Sequence, residues 1–453
     1  MTSGLASLNQ AAVLLVTAVL VGASPPSSRI AITGASLIDG TGAGPRTGVT
    51  IVISGDRIVA IQPATARVPA GTRILDGRGR YVIPGLWDMH VHLGDATERS
   101  LPLFLAAGVT AVRDMGSPSF VRLARWREEI ARGERIGPRI FAPGPLLQAG
   151  PPVDTNHVEI RDPEQARHVV DSLADLHVDF IKVHEILTRD EYFAIADEAR
   201  RRGLPYAGHL PVDHDTLLVT ALEAARAGQR SLEHLAGIPY YARNVSHASM
   251  YDSLRQIGVF VDPTLRPVWV LAHLTDSTLA QDPRLDYVSA SRRAQWNDMR
   301  RATPSGAMAF REKLLGWRMD AVRDLQRAGV PLVAGTDLGV LPYLYPGSSL
   351  VEELERLVDS GLTTMEALQA ATLNAARLLR RDHDLGSVET GKRADLVVVD
   401  ADPLADIRNL QQVRWVVAHG RVYEPSALLA AVRRTNDDRY PHATLAPDST
   451  TRN

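Results

Sequence analysis

The sequence contains no cysteine in 453 residues. Disulfides and thiolate metal sites are therefore excluded, and any bound metal has to be held by histidine, carboxylate or a less usual ligand. The same absence leaves the redox compartment open. There is no excess of charge of either sign: 50 Lys and Arg balance 52 Asp and Glu, for a formal net charge of -2, and the pI is near 6.7. Nucleic-acid partners usually demand a basic surface, and this balance gives no electrostatic case for one. Beyond Ala23 no apolar run approaches the roughly 20 residues that cross a bilayer. Internal repeats, low-complexity tracts and a glycine-rich phosphate loop are also lacking. What is left is an ordinary soluble composition, 45% hydrophobic and 23% charged. The length suggests one large domain and one small one.

The N-terminus departs from this. Residues 11–23 are uncharged and apolar, too short to span a membrane but of the length of a secretory h-region. Val21-Gly22-Ala23 offers residues for cleavage. The first ten residues carry no Lys or Arg, unlike most such signals, so an uncleaved tail or a mis-assigned start is the competing reading. The expectation is a signal peptide over 1–23 and an exported protein, periplasmic or extracellular, with no transmembrane segment in the mature chain.

From Arg29 to Tyr81 short alternating apolar runs are punctuated by Gly, Pro and Asp, the pattern of β-strands and turns. After His92 the rhythm changes to alternating strand and helix stretches, eight in all, which predict an α/β fold, a (β/α)8 TIM-like barrel. Leu146 to Arg161 reads as a loop broken by Pro and Gly, and Arg266 to about Leu315 as an insertion rich in Arg, Trp and Met. After Asp384 the β rhythm returns. Pairing of these strands with the N-terminal ones predicts a small β-sandwich domain built from both chain ends, 29–83 and 385–425, around a barrel over 84–384. The polar stretch 435–453 is expected to be disordered.

Chemistry concentrates where such barrels keep it, at the C-terminal ends of the strands. His90 and His92 lie two apart, so on a strand both imidazoles face one point. Strand four ends in Lys182, strand five in His209, strand six in His234 and strand eight in Asp337. Singly each has a plain explanation: a strand-end Lys is usually half of a salt bridge, an Asp before a helix is often a cap, and a lone His is often a core residue. Six of them on one rim point jointly to a metal site. Lys182 is the chemical oddity, because an ammonium has no lone pair for a metal. Carboxylation by carbon dioxide would give it two oxygens able to bridge two ions.

These motifs resemble the amidohydrolase superfamily, in the branch of imidazolonepropionase-like proteins and bacterial dipeptidases acting on Xaa-Pro or Xaa-Arg. The similarity runs from Pro84-Gly85-Leu86-Trp87-Asp88-Met89-His90-Val91-His92 through Gly108–Asp114, Asp179–Val183, Gly208-His209, Glu233-His234, Asp262-Pro263-Thr264 and Ala334–Asp337. It ends in Thr372–Ala376 and Gly386–Leu396. The resemblance implies that His90, His92 and Asp337 hold one metal and His209 and His234 a second, with carboxylated Lys182 and a hydroxide bridging them. It further implies zinc as the usual ion, Asp337 as proton shuttle, and hydrolysis of an amide bond in a dipeptide or N-acyl amino acid. A cyclic amidase or lactonase is the alternative, and a mononuclear deaminase is less favoured. A homo-oligomer is compatible with the sequence.

The sequence also departs from that branch. Many relatives carry Gly-Gly-His after strand three, whereas here the text is Gln148 to His157, so His157 is the candidate for the carbonyl-polarising role. After Lys182, many have small residues where His184 and Glu185 stand here. Arg113 and Asp114 are expected to form a structural ion pair. The arginines Arg292, Arg293, Arg300 and Arg301 of the insertion suit a solvated helical face better than a basic lid over the site.

Overall fold

The computed structural model describes residues 29–436 except 118, 152–156, 215, 240–246 and 305. The signal segment expected over 1–23 and all but the first two residues of the tail expected over 435–453 lie outside the described residues. Strands β1 (Arg29–Leu37), β2 (Arg46–Ser54) and β3 (Arg57–Pro63) form an antiparallel meander. Strands β4 (Arg73–Asp76) and β5 (Tyr81–Pro84) both lie parallel to β1.

The large unit begins one residue later. Strands β6 (Leu86–Val91), β7 (Val109–Asp114) and β8 (Arg139–Phe141) pair in parallel. So do β11 (Ile181–Val183), β12 (Tyr206–Gly208), β15 (Gln229–Glu233) and β16 (Phe260–Asp262). Backbone hydrogen bonds join the two sets: Asp179 N–H donates to Ala142 O (3.0 Å) on one side. On the other, segment 331–335 supplies the eighth position, accepting from Val261 N–H at Pro331 O (3.0 Å) and from Met89 N–H at Ala334 O (2.9 Å). This is a TIM-barrel fold of the α/β class. Helices follow most of the strands, and their starts are written in the sequence. Thr188 with Glu191 and Thr220 with Glu223 form capping boxes that satisfy the free N–H groups of helices 189–201 and 221–227.

The stretch expected as an irregular loop differs. Leu146–Ala149 is strand β9 and His157–Ile160 is strand β10, parallel to each other, with β9 also touching β11. The buried Leu146 and Leu147 reward extended pairing, and Gly150-Pro151 marks only the end of β9. A two-residue hairpin pair, β13 (Val212–Asp213) and β14 (Thr216–Leu217), follows β12.

The C-terminal strands β17 (Leu396–Val399), β18 (Val413–Ala418) and β19 (Arg421–Tyr423) return to the first sheet, in the order β19-β18-β17-β5-β1-β2-β3 with β4 beside β1. Both chain ends thus meet in one continuous hydrogen-bonded sheet. Strand β17 explains its own all-apolar text, Leu-Val-Val-Val. Leu396 and Val398 enter the core of the small sheet, while Val397 and Val399 enter the barrel core. Arg139 on β8 pairs with Asp395 (2.6 Å), tying the two units together.

The insertion is helical: Leu265–Ala272, Ala290–Ala302 and Ala307–Arg327, linked by two 3-10 turns. Trp296 packs against Tyr343 and Tyr345 of the loop after the eighth strand position, with ring centroids 5.2 and 5.9 Å away. Arg301 is exposed and pairs with Asp298 on its own helix.

Candidate metal centre

The strand ends bring five of the six expected ligands into a chain of close side chains, with Lys182 buried at the same strand level. Ring centroids are 5.5 Å apart for His90 and His92, 4.6 Å for His90 and His234, and 5.0 Å for His209 and His234. Asp337 Oδ1 lies 3.6 Å from His90 Nε2 and 3.4 Å from His92 Nε2. His90, His234 and Asp337 each place a ligand atom within 4.8 Å of the other two. Lys182 has no exposed surface.

Backbone geometry at the rim carries strain. His234, Thr264 and Asp337 all adopt left-handed φ (57°, 46° and 53°), although none is glycine. Such conformations cost about 1–3 kcal/mol each and persist where surrounding structure imposes them, commonly at functional sites. Close approach also dictates two glycines. A Cβ on Gly335 would come within 2.4 Å of Asp262 Oδ2 and 2.5 Å of His90 Cβ, and one on Gly208 within 2.1 Å of Val183 O. These residues directly precede Thr336-Asp337 and His209, so the backbone packing that requires glycine also brings those side chains inward.

Hydrogen bonds set which ring nitrogen faces the centre. His90 Nδ1 donates to Glu233 Oε2 (3.1 Å) and His92 Nδ1 to Gly116 O (2.8 Å). His234 Nδ1 donates to Thr264 Oγ1 (2.7 Å), whose own proton goes to Pro263 O (2.9 Å). His90 and His234 therefore keep the Nε2 lone pair free, while His92 Nε2 faces Asp337 Oδ1 at 3.4 Å. His209 differs in that its Nδ1 is buried without a partner, as are His90 Nε2 and Lys182 Nζ. Buried polar atoms are almost always satisfied. Unpartnered donors along this chain of side chains, with the His90–His234–Asp337 group at its centre, suit a divalent metal.

Electrostatics favour the neutral form at three of the four histidines; at His92 burial is outweighed by the hydrogen bond and charge of Asp337, which push the imidazole up. Burial pushes His90 and His209 far below the ordinary imidazole range and His234 down to about 4, favouring the neutral form that ligates. Burial also brings the Lys182 ammonium down to about 8, which raises its share of nucleophilic free amine. Burial alone would raise Asp337, but the His92 hydrogen bond and the adjacent imidazoles outweigh it and hold the carboxyl well below the carboxylate range.

Behind the ligands lies a fully buried layer whose roles were not apparent from sequence. Arg113 donates to Met89 O (2.6 Å), Ser231 Oγ (2.8 Å) and Glu233 Oε2 (2.9 Å), with Asp262 Oδ2 at 3.5 Å. The expected Arg113–Asp114 ion pair is not formed. Neighbours on a strand face opposite ways, and Asp114 instead accepts from Leu93 N–H, Gly116 N–H and Ser117. His90, Glu233 and Asp262 also form a compact ligand-like group, but the Arg113 guanidinium already supplies its cation. Asp88 accepts from Thr336 N–H (3.0 Å) and Oγ1 (2.7 Å), fixing the residue before Asp337. Glu353 accepts from Leu265 N–H (3.0 Å) and Arg266 N–H (2.5 Å), holding the turn that presents Thr264. Period-2 reading of Ser231-Leu232-Glu233 and the quoted Asp262-Pro263-Thr264 contained the signal; assigning the partners needed the fold.

Removal of the Thr264 acceptor should be felt at the metal. Thr264→Val keeps the shape and frees His234 to flip tautomer. One ion is expected to bind about 10–100-fold more weakly, measured by chelator competition; an unchanged affinity would refute this orienting role.

A barrel with four histidines, a buried lysine and an aspartate on its rim defines a metal-dependent hydrolase acting on carbon–nitrogen bonds. The chain belongs to the amidohydrolase family, whose model matches residues 81–422. It is 24% identical to ochratoxinase of Aspergillus niger over 459 residues, covering 88% of this chain and 86% of that one. It is 28% identical to imidazolonepropionase of Rubrobacter xylanophilus over 380 residues, covering 78% and 84%. The solved structure of a Xaa-Pro dipeptidase with bound methionine shares the fold, with TM-score 0.67, 24% identity and coverage of 88% and 100%.

Of the expected site residues, His157 stands apart. It begins β10, is half-buried, and meets the ring of His184, whose centroid lies 5.9 Å from its own and 4.9 Å from that of His209. Among the described residues no helix is long and apolar enough to cross a membrane.

Proposed function

We propose that this protein is a binuclear metal-dependent amidohydrolase that cleaves the amide bond of a dipeptide or N-acyl amino acid. The observation that carries the reading is the run of close rings His90, His234 and His209, with Asp337 beside His90 and with His90 Nε2, His209 Nδ1 and Lys182 Nζ buried and unpartnered. In this proposal His90, His92 and Asp337 hold one ion, His209 and His234 the other, and carboxylated Lys182 spans both. Histidine and carboxylate ligands suit zinc. When bound, two such ions acidify water and polarise a substrate carbonyl.

The chain's own residues supply the rest. Asp337 takes the proton released as water adds to the carbonyl carbon and passes it to the leaving amine nitrogen. Glu233, neutralised by Arg113, fixes the tautomer of His90 and raises its basicity. The names of the relatives, an ochratoxinase, an imidazolonepropionase and a Xaa-Pro dipeptidase, favour amide substrates and keep ring-opening as the second reading.

The test is metal stoichiometry on protein purified without chelator from medium containing zinc and bicarbonate, followed by a panel of dipeptides, N-acyl amino acids and lactones. Two ions per chain with amide turnover is the expected result. One ion per chain would remove the bridging lysine and revive a deaminase. Turnover of lactones alone would move the substrate class. The proposal extends to export, carried only by residues 11–23; periplasmic fractionation of the full-length protein checks it.

A further inference from the structure

His184 directly follows β11, two residues beyond Lys182. Its ring lies among Lys182, His92 and His234, which all act on it electrostatically. Its backbone is fixed there by a hydrogen bond from its N–H to Leu147 O (2.9 Å). The imidazole stands edge-on beside His209, with ring centroids 4.9 Å apart, so a group bound next to His209 falls within its reach.

The His184 ring is not engaged elsewhere through Nδ1, which is buried and has no hydrogen-bond partner. An unpaired buried polar atom costs about 1–3 kcal/mol, and phenylalanine would fill the same space without that cost. His157 meets the ring edge-on at 87°, with centroids 5.9 Å apart.

We propose that His184 is the substrate-contacting residue on the second-metal side, donating a hydrogen bond to the oxygen of the scissile carbonyl, with His157 as a positioning residue that holds the His184 ring. This rests on the amide-hydrolase reading above and shifts the carbonyl-polarising role from the strand-three loop to strand four. A donor placed on an oxygen that gains negative charge as water adds acts more strongly in the transition state than in the ground state.

The test compares the metal-loaded wild type with His184→Phe, His184→Gln and His157→Phe. Three quantities are read: metal content, kcat and KM on an amide that the wild type cleaves, and calorimetric affinity for a methylphosphonate analogue of an N-acyl amino acid. His184→Phe should keep the wild-type metal content, lower kcat by about 10²–10³-fold with KM changed far less, and weaken the analogue by a similar factor. His184→Gln retains a donor and should recover a large part of both, which a mere packing role would not give. His157→Phe, which keeps an edge-on aromatic, should change kcat by less than about 10-fold. Wild-type-like kcat and analogue affinity in His184→Phe would overturn the proposal. Loss of an ion from that variant would also overturn it, by making His184 a ligand. A wild type that holds metal but neither cleaves amides nor binds the analogue would refute the amide-hydrolase reading itself, and the proposal with it.

Discussion

Lys182→Ala is expected to purify with one or both metals missing and with hydrolysis reduced by about 10³-fold or more, the scale of losing an activating ion. The expectation follows from where the amine sits. Lys182 is among the largest fully buried side chains, its Nζ has no partner, and Glu233, Asp262 and Asp337 provide surrounding negative field without a direct contact. A lysine kept as half of a salt bridge would touch a carboxylate, and this one does not. Carboxylation would resolve the orphan, turning a donor that metals reject into a two-oxygen acceptor. Carbon-13 bicarbonate gives a readout independent of turnover. The wild type should show a carbamate carbon signal and the variant none. Unchanged metal content and rate in Lys182→Ala would end the bridging role.

Asp337→Asn separates binding from proton transfer. The amide keeps an oxygen where Asp337 Oδ1 now stands near both His90 and His92, so most of the metal should remain. It has no site that accepts and returns a proton, and turnover is expected to fall by about 10²–10⁴-fold, the range of general acid–base catalysis. Metal analysis and steady-state rates on the same preparation check both halves. An active Asn variant would remove Asp337 as the shuttle. A metal-free one would show that its charge is chiefly a binding element, as its left-handed backbone and its hold on two imidazoles would allow.

The two substitutions rely on parts of the site that were unequally legible in the sequence. His90 and His92 declared themselves by spacing, and Lys182, His209, His234 and Asp337 by lying at the ends of successive strand-like runs. Strand identity alone predicts this, because alternation fixes which side a residue faces and the barrel puts all strand ends on one rim. The supporting layer was not readable in the same way. Arg113 looked like the partner of its neighbour Asp114. In the fold it reaches instead to Ser231, Glu233 and Asp262, which are 118 to 149 residues away along the chain. His157 was the nearest match to a familiar loop motif; the fold puts it at the start of β10 against the ring of His184, which in turn meets His209, a contact no spacing announced.

By itself the sequence determined the fold class and the family and singled out six candidate ligands, since each is encoded in local periodicity and in residue types that only a few chemistries require. The tertiary structure alone decided which ring nitrogen of His90, His92 and His234 is held by a partner, which carboxylates meet Arg113, and that His184 lies beside His209. Those are contacts between strands far apart in the chain, set by sub-ångström packing and by the need to satisfy every buried polar atom, and no spacing along a single strand specifies them.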